Sequence, residues 1–105
     1  MISEIKSGGK VIATIAQRKV VAFQINITGT SDAKTVDVPV WANTVAVDKD
    51  GAIWAYESVA EDVRIIGANK AWVDFGRCDA KMQEIGEMEP FADWKESQID
   101  LRTMQ

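Results

Sequence analysis

Residues 44–57 leave the chain little freedom in how it folds locally. Thr44-Val45-Ala46-Val47-Asp48 and Ala52-Ile53-Trp54-Ala55-Tyr56-Glu57 are two runs rich in β-branched and aromatic residues, separated by Lys49-Asp50-Gly51. A three-residue connection ending in glycine fits a type I turn closed by a left-handed residue, a conformation glycine enters without steric cost. Such a turn sets Val47 against Ile53, Ala46 against Trp54, Val45 against Ala55 and Thr44 against Tyr56. Side chains alternate across a strand, so Val45, Val47, Ile53 and Ala55 share one face and Thr44, Ala46, Trp54 and Tyr56 the other. Both faces are apolar. The second therefore needs a cover: another layer of this chain, another subunit or a ligand.

Punctuation along the rest of the chain repeats the β theme. Ser7-Gly8-Gly9 reads as a turn after a short apolar opening, and Val11-Ile12-Ala13-Thr14-Ile15-Ala16 follows it. After a polar break at Gln17-Arg18-Lys19, residues 20–27 place Val21, Phe23, Ile25 and Ile27 on one face at period two. β-branched content favours strands for both runs, with a helix over residues 10–22 as the alternative. Residues 28–35 are small and polar and read as an exposed loop. Residues 36–41 return to alternation, but Pro39 has no N–H for a ladder, which confines that strand to an edge or makes it short. Val63-Arg64-Ile65-Ile66 and Ala71-Trp72-Val73-Asp74-Phe75 flank Gly67-Ala68-Asn69-Lys70 as a further hairpin.

From Asp79 onward the pattern changes. Asp79-Ala80-Lys81-Met82-Gln83-Glu84-Ile85-Gly86 reads as a capped helical turn or two ending at glycine. Met82, Ile85, Met88, Phe91, Trp94, Ile99 and Leu101 make residues 79–105 too apolar for an idle tail, so the segment is expected to dock on the sheet. These patterns predict a mainly β single domain over residues 1–105. The expected architecture is an antiparallel sheet or small barrel of five to seven strands with a short helical C-terminal segment; α+β is the alternative if the first run is helical.

At 105 residues, 47% of them hydrophobic and 27% charged, the chain is large enough for one core without disulfide or metal staples. It contains no histidine. Ser-His and Cys-His nucleophile pairs, imidazole bases and His-containing zinc sites are therefore unavailable. The net charge is −4, and the whole surplus lies in residues 79–105, which carry seven acidic side chains against three basic ones. That distribution argues against direct nucleic-acid binding, which rests on basic patches. Plain solubility, or a basic partner, suits it better. No apolar run reaches the length of a membrane span, and residues 1–6 lack the features of a signal peptide, so the expected location is the cytoplasm. The single cysteine, Cys78, agrees with a reducing compartment.

Each chemical constellation has a simpler reading. Asp48-Lys49-Asp50-Gly51 suggests a calcium loop, but counted from Asp48 the sixth position, which requires glycine, is Ile53, and the twelfth, which requires glutamate, is Val59. Gly8-Gly9-Lys10 lacks the upstream glycine and the following Ser/Thr of a phosphate loop. Cys78 beside Arg77 has no histidine base and reads as a partly buried structural cysteine. Glu57, Glu61, Asp62, Asp74 and Asp79 are the carboxylates that a paired acid/base site would draw on. No cofactor is expected. Four tryptophans, Trp41, Trp54, Trp72 and Trp94, are many for this length, and tryptophan serves both small cores and interface hot spots.

Residues 39–57, with Pro39-Val40-Trp41-Ala42 leading into a strand, the Asp48-Lys49-Asp50-Gly51 turn and a second strand ending Tyr56-Glu57, resemble a pattern in small bacteriophage and prophage proteins of unknown function. Asp93-Trp94-Lys95-Glu96-Ser97 is similar to the tryptophan-then-serine ending many of them share. The resemblance covers about a quarter of the chain and implies a viral gene context, with the host-cell cytoplasm as location. It carries no activity and no site. Three functional expectations follow. The first is a non-enzymatic binding or assembly module that self-associates as a homo-oligomer through an aromatic face, with Thr44, Trp54, Tyr56, Trp41 and Trp94 as candidate interface or ligand residues. The second is an antagonist that meets a host protein through an acidic surface. The third is a small carboxylate-based enzyme.

Overall fold

The computed structural model describes residues 2–17, 23–28, 34–68 and 70–104. Strands β1 (Ile2–Ser7) and β2 (Lys10–Gln17) form the first hairpin, and the turn between them holds Gly8 and Gly9 at positive φ, +57° and +82°. β2 settles the strand-or-helix choice for residues 10–17 in favour of a strand. Residues 18–22, with the polar break and the start of the next run, lie outside the described residues, as do 29–33 of the expected loop. β3 (Phe23–Ile27) buries Phe23, Ile25 and Ile27, the period-two face read from the sequence. β4 (Lys34–Val38) starts two residues before the end of the expected loop and stops before Pro39. The four strands form one antiparallel sheet in the order β1-β2-β3-β4, which puts the Pro39-terminated strand at an edge, where a missing N–H costs nothing.

β5 (Thr44–Val47) and β6 (Ala52–Tyr56) pair in the register expected from the turn: Val47 with Ile53, Ala46 with Trp54, Val45 with Ala55 and Thr44 with Tyr56. Gly51 has φ +93°, and a Cβ there would run into the carbonyl oxygen of Met88. β7 (Val63–Arg64) and β8 (Val73–Asp74) make the next hairpin, a ribbon with only two residues in each strand. β9 (Met82–Glu87) and β10 (Ile99–Asp100) complete a second four-stranded antiparallel sheet in the order β10-β5-β6-β9.

β9 overturns the helical reading of residues 79–86. Met82, Gln83 and Glu84 favour helices as single residues, but pairing with β6 along Ala52–Tyr56 fixes them as an edge strand, an override of local propensity by tertiary contact. Gly86 does not cap a helix. It lies opposite Ile53, and a Cβ there would stand 2.9 Å from Val36 Cγ2, so the missing side chain lets β9 approach β4 of the other sheet. Among the described residues of this part of the chain, helical geometry is confined to two 3₁₀ turns, Trp94–Glu96 and Leu101–Met104. The strands number ten among the described residues, more than the expected five to seven, because three of them are two-residue pieces. Among the described residues the sheets stay open and form no barrel.

One core joins the two sheets. Ile5, Ile15, Ile25 and Ile27 from the first meet Val45, Val47, Ile53 and Ala55 from the second, and Met88, Ile99 and Leu101 from the C-terminal segment complete it. The C-terminal segment is tied in by hydrogen bonds as well as by packing. Gly8 N–H donates to the Asp93 carboxylate (2.8 Å), and Leu101 N–H to the Asn43 carbonyl (2.9 Å). Ser97 sits where an edge strand would otherwise continue: its buried Oγ accepts from Val47 N–H (2.8 Å) and lies 2.6 Å from the Trp94 carbonyl oxygen. No helix among the described residues is long and apolar enough to cross a membrane.

Candidate functional site

The second face of the central hairpin is covered by the chain itself. Ala46 and Tyr56 pack with Val63 in a separate small core, and Trp54 and Trp72 close around it. The cover is the 63–75 excursion, laced to the β5–β6 turn. Trp72 N–H donates to Asp48 Oδ1 (2.9 Å), the Trp72 indole Nε1–H to the Val47 carbonyl (2.9 Å), and Lys49 N–H to the Lys70 carbonyl (3.0 Å). Burial raises the Tyr56 phenol pKa, and the Asp48 and Asp74 carboxylates add to the shift. Asp48 is raised as well, chiefly by burial, with Asp50 and Glu84 contributing and the Trp72 N–H opposing.

The five aromatic-face candidates are therefore dispersed, and most are enclosed. Thr44 is fully buried and donates to the Ser58 carbonyl (2.8 Å); Tyr56 lies under the ribbon; Trp94 is buried within the C-terminal segment. Trp41 is half-buried against the main core, with the Lys81 ammonium 5.9 Å from its ring. Trp54 keeps partial exposure beside Trp72. The structure brings Trp54, Tyr56 and Trp72 together and leaves Trp41 and Trp94 elsewhere.

What the cover exposes is its own outer side. Val63 faces inward, and its cross-strand partner Asp74 shares that face, so Arg64 and Val73 face out. Phe75 continues the outer face at 41% exposure, with the Arg64 guanidinium carbon 4.9 Å from its ring centroid, and Ile66 is 54% exposed. Sequence reasoning missed this surface because a hairpin without assigned faces does not say which side is outer. The signal was present in the alternation Ala71-Trp72-Val73-Asp74-Phe75, which is apolar on both sides apart from Asp74.

Beside the ribbon lies a cleft of about 340 Å³, walled by Asn43, Glu57, Ser58, Asp62, Arg77 and Ala80. Of the five carboxylates named from the sequence, Glu57 and Asp62 line it. Glu57 Oε1 accepts from Lys81 N–H (3.1 Å) and meets Arg77 (3.4 Å), and Arg77 also reaches Asp79 (3.6 Å). Asp74 caps Gly76 N–H (2.8 Å), and Glu61 pairs with Arg102 (2.8 Å) away from the cleft. A second, more open hollow of about 600 Å³ lies at the β5–β6 turn, lined by Asp48, Lys49, Asp50, Lys70 and Ala71, where two lysines offset two aspartates. Among the described residues no group of three or more Cys, Asp or Glu side chains is placed to hold a metal ion. Cys78 is exposed.

Comparisons with protein-family models, with curated proteins and with solved structures find no match.

Proposed function

We propose that this protein is a non-enzymatic binding or assembly module, in keeping with its resemblance to small bacteriophage and prophage proteins. It self-associates through the outer face of the β7–β8 ribbon. The observation that carries the reading is the exposure of Phe75 and Ile66 on a layer whose inner face already covers Tyr56 and part of Trp54. Large apolar side chains grouped on a small outer layer mark contact surfaces, and an aromatic ring with an arginine stacked on it is a common centre for one. The aromatic pair Trp54 and Tyr56 then supports the surface from beneath. Sedimentation velocity tests this reading. The wild-type chain is expected to show a concentration-dependent dimer, and Phe75→Asp with Ile66→Asp to remain monomeric and folded. A wild-type chain that stays monomeric at several hundred micromolar contradicts it.

A second reading, contact with a basic host protein, draws on the exposed edge strand β9 and its continuation, where Glu84, Glu87 and Glu89 all face solvent. Removing residues 79–105 cannot test it, because that deletion strips β9, β10 and Leu101 from the fold. The test is the triple variant Glu84→Lys, Glu87→Lys, Glu89→Lys in a pull-down from host lysate. A basic protein held by the wild type should be lost; equal retention contradicts the reading.

A further inference from the structure

β9 leaves one side of its backbone unused. Glu57 N–H donates to the Lys81 carbonyl (2.8 Å) and Met88 N–H to the Gly51 carbonyl (2.9 Å), so Lys81 and Met88 make hydrogen-bonded pairs with the residues that flank β6. Hydrogen-bonded and open pairs alternate along an antiparallel ladder. Counted inward from both ends to the bulge at Ile85, Gln83 and Gly86 turn their N–H and C=O toward β6, and Met82, Glu84 and Glu87 turn theirs away. β9 is the last strand of its sheet, and among the described residues nothing pairs with that outer side.

The other sheet edges carry familiar guards against strand addition. β4 runs into Pro39, β10 is two residues long, and on β1 the Lys6 ammonium lies 3.9 Å from the Glu4 carboxylate, so its charges offset. β9 shows one sign instead. Glu84 and Glu87 are exposed, Glu89 follows, and none of the three has an ion pair among the described residues. Lys81 turns to the opposite face, where its ammonium lies 5.9 Å from the Trp41 ring. Glu84 stands opposite the partly exposed Trp54, and Met82, 47% exposed, stands opposite Tyr56. A cation held by Glu84 therefore lies beside an indole ring, which favours it further. A second copy of β9 would set glutamates against glutamates, which repel.

We propose that β9 takes up an extended basic segment of a partner protein as the fifth strand of its sheet, with a lysine or arginine opposite Glu84 and an apolar residue, two positions along, opposite Met82. This mode of contact rests on the basic-partner reading above. Main-chain bonds to Met82, Glu84 and Glu87 supply the ladder, and the glutamates select the sign of the incoming strand.

Amide-resolved NMR titration of the full chain with the peptide acetyl-Lys-Thr-Lys-Thr-Val-Thr-amide tests this. Aligned antiparallel, the peptide sets its lysines opposite Glu87 and Glu84 and its valine opposite Met82. Saturable shifts are expected, with slower hydrogen exchange at the Met82, Glu84 and Glu87 amides and none gained at Gln83 and Gly86, whose amides already face β6. Met82→Pro keeps every glutamate and every bond to β6 but removes one outward N–H, and should weaken binding about tenfold. Met82→Val, which keeps the N–H, should bind as the wild type does. The peptide N-methylated on the residues that face β9 should also bind about tenfold more weakly, and an analogue with glutamate in place of lysine should not bind. Equal binding by Met82→Pro overturns the strand addition and leaves the acidic contact standing. Should that variant fail to fold, equal binding of the N-methylated peptide by the wild type overturns it in the same way. Absence of saturation by the parent peptide overturns it too, whereas the acidic contact falls separately, when the charge-reversed variant retains the host protein.

Discussion

The indole Nε1–H of Trp72 donates to the carbonyl of Val47 across 2.9 Å, while the backbone N–H of the same tryptophan donates to the neighbouring Asp48. One residue therefore fastens the 63–75 excursion to the central hairpin at two points and supplies part of its apolar inner face. Trp72→Phe keeps most of the packing and loses the indole bond, so it should cost about 1 kcal/mol. Trp72→Ala also opens the small core and should cost about 3 kcal/mol, at the lower end for tryptophan because the ring is only partly buried. Urea denaturation measures both. Acrylamide quenching of Trp54 should rise in the alanine variant and stay near wild type in the phenylalanine variant.

Ser97 offers a cleaner test of the second sheet's edge. Its Oγ is the acceptor for the buried Val47 N–H, a role that a β10 extended by two residues would otherwise fill. Ser97→Ala leaves that N–H without a partner inside the core and is expected to destabilise the fold by about 1–3 kcal/mol. Hydrogen exchange at the Val47 amide should accelerate with it. An unchanged exchange rate would mean that another acceptor serves Val47.

Acid titration separates Asp48 from the other carboxylates. Its pKa in the folded state is raised above the usual 3.8, with burial as the main cause, so the folded chain holds the proton more tightly than the unfolded one. The resulting stabilisation is complete below the unfolded pKa and is lost as pH rises through the folded one. An asparagine at this position would keep an acceptor for the Trp72 N–H and has no charge to bury. Asp48→Asn should therefore be more stable than wild type at pH 7, and the gap should close as pH falls toward 3.8. Asp100, held below its usual range by the Arg102 hydrogen bond, titrates with the opposite sign in both proteins and cancels in the comparison. A gap independent of pH contradicts the assignment.

The central hairpin was legible because its turn chemistry and its alternation agree. Gly51 fixed the loop length, and loop length fixed which residues pair. Pro39 likewise marked an edge before any pairing was known. The 79–86 segment was misread because Met, Gln and Glu carry helical propensity while its strand state depends on a partner 26 or more residues away, β6, which local pattern cannot see. The cover over Trp54 and Tyr56 was foreseeable as a need but not as an identity. The ribbon that provides it is two residues long on each side, and its placement rests on the tertiary bonds of Trp72. The cleft lined by Asn43, Glu57, Ser58, Asp62 and Arg77 had no sequence signature, since these residues come together only through the fold.

The aromatic second face is sealed within one chain, and contact with a second copy is assigned to the outer side of the seal. Amide chemical shifts recorded over a dilution series measure this directly. Concentration-dependent shifts are expected at Arg64, Ile66, Val73 and Phe75, with Ile5 and Ile15 in the other sheet unaffected. Shifts that do not depend on concentration, or that map onto β1 or β9 instead of the ribbon, would contradict it.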